Sequence, residues 1–124
     1  MKLRTLEEQT IKNNFLFTKV MEDGDNCKTL LEMILGIPID HVTVDTEKSF
    51  VYHPEYHGIR LDVYARDDVN THFNVEMQVA KDALEKRARY YHSQIDMGIL
   101  QTGVPYEELP DCYVIFICDY DPFG

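Results

Sequence analysis

Arg60-Leu61-Asp62-Val63-Tyr64-Ala65-Arg66-Asp67-Asp68-Val69-Asn70-Thr71-His72-Phe73-Asn74-Val75-Glu76-Met77-Gln78 decides how this chain folds. Ile59 to Ala65 and His72 to Val79 are rich in β-branched and aromatic residues. The polar turn Asp67-Asp68-Val69-Asn70 lies between them, so the stretch reads as a β-hairpin. With the turn centred on Val69, Asp62 and Glu76 are each seven residues from the centre and stand opposite one another. Directly opposed residues have Cβ atoms about 4.5–5.5 Å apart. Strand side chains alternate between faces. Glu76 and Gln78 therefore share one face, while Leu61, Val63, Val75 and Met77 take the other and are expected in the core.

Working outward, the residues before the hairpin are helical first and extended later. Leu16, Val20 and Met21 recur at helical spacing, and Gly24-Asp25-Asn26 is expected to interrupt them. Cys27, Leu30, Leu31, Ile34 and Leu35 form the apolar stripe of a second helix, stopped by Gly36 with Pro38 beyond. From His41 to Phe50, Val42, Val44 and Thr46 alternate with polar neighbours, as on a half-buried strand. Tyr52 to Gly58 is a loop.

After the hairpin, a helix is expected from about Ala83 to Leu100, with Leu84, Ala88, Tyr91, Ile95 and Gly98 to Ile99 on its buried stripe. Gly103 and Pro105 break it. Cys112 to Cys118 is almost continuously apolar, the pattern of a strand buried on both faces. The order is α-α-β-β-β-α-β, which predicts an α/β (α+β mixed) domain with helices packed on a mixed sheet.

At 124 residues the chain holds one domain, residues 1–124. Its ending, Asp119 to Gly124 just after an apolar strand, reads as the N-terminal part of a longer protein. No apolar run approaches the roughly 20 residues of a membrane span, and the charged start Met1 to Glu8 is unlike a secretory signal. Three cysteines without a close pair suit a reducing cytoplasm. The net charge of -10 counts against wholesale nucleic-acid binding, yet residues 81–95 carry Lys81, Lys86, Arg87 and Arg89 against Asp82 and Glu85.

The chemistry centres on Asp62 and Glu76. Two carboxylates this close repel, and a cation between them removes the conflict. Hard oxygen donors with an incomplete protein shell suit Mg²⁺ or Mn²⁺. On spacing alone, the better reading of the same two residues is as solvent-facing carboxylates paired with Arg60 or Lys81. His53 and His57 would suit zinc on a helix, but they flank Pro54 in a loop with no third ligand near. Cys112 and Cys118 lie roughly 20 Å apart on an extended strand and cannot share a metal.

Gly58-Ile59-Arg60-Leu61-Asp62-Val63-Tyr64-Ala65, followed by Asn74-Val75-Glu76-Met77-Gln78, resembles the PD-(D/E)xK nuclease superfamily, and more closely its nuclease-family transposases, related to recombination-promoting nucleases of bacteria. Asn14 to Val20, Leu30 to Gly36, Arg87 to Ser93 and Gly103 to Ile117 extend the resemblance over nearly the whole chain. It implies a restriction-endonuclease-like core and metal-dependent DNA endonuclease activity. Asp62, Glu76 and the Met77 carbonyl would hold Mg²⁺ or Mn²⁺, and Asp62, Glu76 and Gln78 would be the catalytic set.

Gln78 stands where the wider superfamily has a lysine, as is usual in this branch. A neutral amide can hydrogen-bond water but supplies no charge and cannot act as a base. Arg87, with Tyr91 one turn on, would grip DNA phosphate; an exposed charge paired with a carboxylate is the equal alternative for Arg87. Glu32 falls where related nucleases sometimes place an extra acid, although a solvated helix face suits it better. The other functional reading is a nuclease-like domain that has lost catalysis and acts in DNA or protein binding.

Overall fold

The computed structural model describes residues 6–78 and 83–123, with side chains from residue 14 onward. The elements are α1 (Leu6–Met21), α2 (Gly24–Leu35), β1 (Val42–Asp45), β2 (Ser49–Phe50), β3 (Ile59–Arg60), β4 (Val63–Asp67), β5 (His72–Gln78), α3 (Leu84–Ile99), a 3₁₀ turn (Tyr106–Glu108) and β6 (Cys112–Cys118). The expected order holds, with His41–Phe50 and Ile59–Ala65 each divided into two shorter strands. β1, β4, β5 and β6 form one sheet in that order, and β2 pairs with β3 in a separate ladder. β1–β4 and β4–β5 are antiparallel, while β5–β6 is parallel. The domain is therefore α+β with a mixed sheet.

The hairpin register follows the turn. Val63 pairs with Val75 and Arg66 with His72, which centres the loop on Val69. Asp67 enforces it: its carboxylate accepts hydrogen bonds from the Val69 and Thr71 N–H groups at 3.0 and 2.8 Å. Asn70 takes the left-handed conformation, φ 63°, which asparagine adopts more readily than most residues.

Both faces of the sheet are covered. Val63, Ala65, Phe73 and Val75 pack with Met21, Cys27 and Leu31 of the first two helices. A second cluster of Phe50, Ile59, Leu61 and Ile95, with Tyr91 and Ile99 against it, sits under α3. α3 approaches β2 closely, because a Cβ at Gly98 would lie 2.5 Å from Phe50 Cε1 and 2.7 Å from the Tyr52 hydroxyl.

Four details depart from the sequence expectation. Gly24 to Asn26 opens α2 instead of separating two helices: Asp23 is the N-cap and accepts from the Asp25 and Asn26 N–H groups at 2.9 and 3.4 Å. β6 is half-buried, not buried on both faces, because it borders the four-stranded sheet and Tyr113 remains exposed. Met77 is half-buried and not core. Leu61 is core, but in the second cluster, because the chain breaks between β3 and β4 and the Leu61 N–H donates to the Lys48 carbonyl at 2.9 Å.

Leu61 is fully buried beside Asp62, so Leu61→Ala should destabilise the fold by about 2–5 kcal/mol. Urea denaturation measures this as a lower midpoint with an unchanged slope.

Candidate active site

The break between β3 and β4 builds the site. At Asp62 the backbone leaves the strand ladder, and its N–H donates to Glu76 Oε2 at 2.6 Å. In return, the Met77 N–H donates to Asp62 Oδ2 at 3.1 Å. Each carboxylate thus takes a backbone donor from the other's segment, and the two are held side by side at the end of β4. Among the described residues, Asp62 Oδ1 and Glu76 Oε1 accept no hydrogen bond.

Glu76 is 3% exposed, far more buried than a residue on an open sheet face. Burial pushes its pKa up to about 7, and the Asp62 charge adds to this; the Asp62 N–H, the Asn74 amide and the Arg87 charge pull the other way. Asn74, fully buried two residues earlier on the same face, donates through Nδ2 to the Val63 carbonyl at 3.2 Å and to Glu76 Oε2 at 3.4 Å. Among the described residues its Oδ1 has no hydrogen-bond partner. Asn74 was not singled out in the sequence, although its place two residues before Glu76 on an alternating strand is the signal that marks it.

Gln78 is fixed from both ends. Its Nε2 donates to the Met77 carbonyl at 3.1 Å, and its Oε1 accepts from Arg87 Nη1 at 2.5 Å. Arg87 also donates through Nη2 to the Tyr91 hydroxyl at 2.9 Å, and its guanidinium carbon lies 5.4 and 5.6 Å from the Tyr91 and Phe116 ring centroids. The structure thus brings Asp62, Glu76, Met77, Gln78, Arg87 and Tyr91 together. The oxygen-only donor set of two carboxylates and a main-chain carbonyl fits a hard divalent cation with waters completing the shell. One lone pair of the Met77 carbonyl is engaged by Gln78; a carbonyl oxygen has two.

A cavity of about 620 Å³ adjoins this group, lined by His57, Arg60, Lys86, Arg87, Tyr90 and Tyr91 among others. None of its described lining residues is acidic, in a chain of net charge -10. Of the basic patch read at residues 81–95, Lys86 and Arg87 line this cavity, while Lys81 and Asp82 lie outside the described residues.

Of the remaining candidates, Glu32 and His53 lie outside this group, while His57 only lines the adjoining cavity. Glu32 Oε2 accepts from the Ile39 N–H at 3.2 Å and tethers the loop after α2. His53 and His57 are loop residues, each beside a tyrosine ring, and Tyr90 donates its hydroxyl hydrogen to the His57 carbonyl. All three cysteines are free; burial pushes the Cys27 and Cys112 thiols up to about 11 and about 12, so they remain protonated near neutrality.

Among the described residues, three helices packed with a mixed four-stranded sheet form an α+β fold consistent with a PD-(D/E)XK nuclease-like domain. The family model of PD-(D/E)XK nuclease family transposases matches residues 11–123, and the chain belongs to that family. No curated protein and no solved structure matches it significantly.

The raised Glu76 pKa sets a pH dependence in metal-free protein. Between the ordinary value of 4.5 and about 7, folded Glu76 keeps a proton that the unfolded chain releases, so stability falls as pH rises through this window. Glu76→Gln should flatten the fall and raise stability at pH 8 by on the order of 1–3 kcal/mol. Urea midpoints of both proteins from pH 5 to pH 8, in chelator, measure it.

Proposed function

We propose that this domain is a metal-dependent DNA endonuclease core of a transposase- or recombination-associated protein, with Asp62, Glu76 and the Met77 carbonyl holding Mg²⁺ or Mn²⁺. The observation that carries this reading is the reciprocal Asp62–Glu76 arrangement. Two carboxylates are locked together by backbone N–H donors, one of them buried at a cost that a cation would relieve. Family membership supports a nuclease- or transposase-associated role, and the cationic cavity beside the pair supports a polyanionic substrate.

When bound, the cation supplies Lewis-acid polarisation of a phosphoryl oxygen and of water. The chain's own residues do the rest. Hydrolysis joins a water oxygen to phosphorus and expels the ester oxygen in line. Gln78, immobilised between Arg87 and the Met77 carbonyl, retains one N–H and one lone pair with which to orient that water. Arg87 polarises the amide and brings to the site the positive charge that a lysine at position 78 would supply. Arg60 and Lys86 attract the DNA backbone into the adjoining cavity.

The second reading, a nuclease-like binding domain without catalysis, is favoured by one observation. Both ends of the Gln78 amide are already engaged, and an amide cannot act as a base. Calorimetry separates binding from turnover: Mn²⁺ binding without cleavage supports the second reading, and no binding at millimolar Mn²⁺ opposes the first.

The activity test is nicking of supercoiled DNA by purified protein in Mg²⁺ or Mn²⁺. Asp62→Ala should lower the rate at least about 100-fold, and Arg87→Gln, acting through Gln78, about 10–100-fold. Equal nicking by wild type and Asp62→Ala would rule out this assignment.

A further inference from the structure

A second cavity, of about 450 Å³, opens over the β1, β4 and β5 end of the sheet and is lined among others by Thr43, Lys48, Tyr64, Arg66, Asn70 and His72. It contains none of the candidate active-site residues. His72 and Glu76 lie on one face of β5 four residues apart, roughly 13 Å at the usual strand rise.

Two cations, Lys48 and Arg66, line it, and neither is in an ion pair among the described residues. The Lys48 ammonium lies 5.3 Å from the Phe50 ring centroid and 6.0 Å from that of Tyr64, and forms no ion pair among the described residues. Arg66, opposite Thr43 across β1–β4 and opposite His72 across β4–β5, forms none either. The nearby acids are engaged elsewhere. Asp67 accepts from the Val69 and Thr71 N–H groups, and Asp45, itself in the lining, accepts from the Glu47 N–H at 2.8 Å. Asp45 and Asp67 keep their charge, but their described bonds go to turn N–H groups, and among the described residues neither is in an ion pair with Lys48 or Arg66.

The neutral groups are also organised. Tyr64 Oη hydrogen-bonds to His72 Nδ1, and His72 Nε2 to Asn70 Oδ1 at 3.1 Å. The consistent assignment has Tyr64 O–H donating to Nδ1 and Nε2–H donating to Asn70, with the imidazole neutral. Burial, followed by the charges of Arg66 and Lys48, holds the His72 pKa below its ordinary value against the opposing pull of Asp67, in keeping with both cations converging on this ring. With its Oδ1 taken by His72, Asn70 keeps its amide N–H groups, and Thr43 its hydroxyl, as donors for an anion.

We infer that this cavity binds a phosphate group, Lys48 and Arg66 supplying the charge, Asn70 and Thr43 neutral donors, and the Tyr64–His72 pair fixing its floor. Two sources share that chemistry: the DNA backbone, held away from the carboxylate pair, and a small phosphorylated molecule. The inference stands apart from the proposed nuclease activity, since none of its residues is assigned to that site.

The test uses wild type, Arg66→Gln, Lys48→Met (which keeps an unbranched apolar stem over Phe50 and Tyr64) and the double variant. Inorganic phosphate is titrated into each, followed by amide chemical shifts. Affinity for a labelled DNA duplex is measured by anisotropy across a salt series in chelator.

The inference predicts phosphate-dependent shifts at Thr43, Arg66, Asn70 and His72, weakened at least ten-fold in the double variant. If the phosphate belongs to DNA, the double variant also binds the duplex about ten-fold more weakly, and its log–log salt slope falls by about 1. Shifts with unchanged DNA affinity support the small-molecule source. No shifts together with unchanged DNA affinity overturn the inference. Mn²⁺ calorimetry on the same proteins reads the carboxylate pair separately, so absence of heat in wild type counts against the nuclease reading alone.

Discussion

The bond from the Asp62 N–H to the Glu76 carboxylate is the constraint on which the rest depends. A regular hairpin would send that N–H across to a backbone carbonyl. Here it goes to a side chain, and the strand divides into β3 and β4 at that point. The division frees Ile59–Arg60 to pair with Ser49–Phe50 and turns Leu61 into the cluster beneath α3. The return bond from the Met77 N–H to Asp62 closes the arrangement. Because both donors are main-chain groups, the carboxylates are positioned by the fold itself and not by flexible partners.

This arrangement explains a buried acid in a small domain. Glu76 is surrounded by sheet and helix, and its proton affinity rises accordingly. A buried polar group is costly unless it is hydrogen-bonded, and Asp62 and Asn74 supply those bonds to one oxygen only. Among the described residues, neither the other oxygen nor Asp62 Oδ1 accepts a hydrogen bond. Nearby, the Arg87–Gln78–Met77 chain ties α3 to the end of β5, so the helix positions the site as well as covering the sheet.

Much of this was legible in the sequence. The hairpin register followed from the turn, because Asp67 and Asn70 have the side chains and conformational tolerance that a loop centred on Val69 requires. With the turn taken at Val69, Asp62 and Glu76 fall opposite one another in the pattern, although the observed ladder ends one step earlier, at Val63–Val75. The stop at Gly36 was equally plain, since a left-handed cap at φ 67° suits glycine. The division at Asp62 was not legible: a side chain competing with the ladder leaves no mark in an alternating pattern. The edge position of β6 was hidden as well, because its apolar run reports composition and not how many strands lie beyond it. The Arg87–Gln78 bond links a strand to the next helix, and the Lys48–Arg66 cavity gathers residues from several strands and turns, so the periodicity of a single element reveals neither.

Net charge proved a coarse guide. A chain at -10 still gathers basic residues at two cavities: Arg60, Lys86 and Arg87 at one, and Lys48 and Arg66, with Asp45 beside them, at the other. The central claim is that Asp62 and Glu76 together hold a divalent cation. Anomalous diffraction from crystals soaked in millimolar Mn²⁺ tests it most directly. The account predicts a peak about 2.0–2.3 Å from oxygens of both Asp62 and Glu76; a soaked crystal with no peak between them, or with Mn²⁺ bound only by other carboxylates, would contradict it.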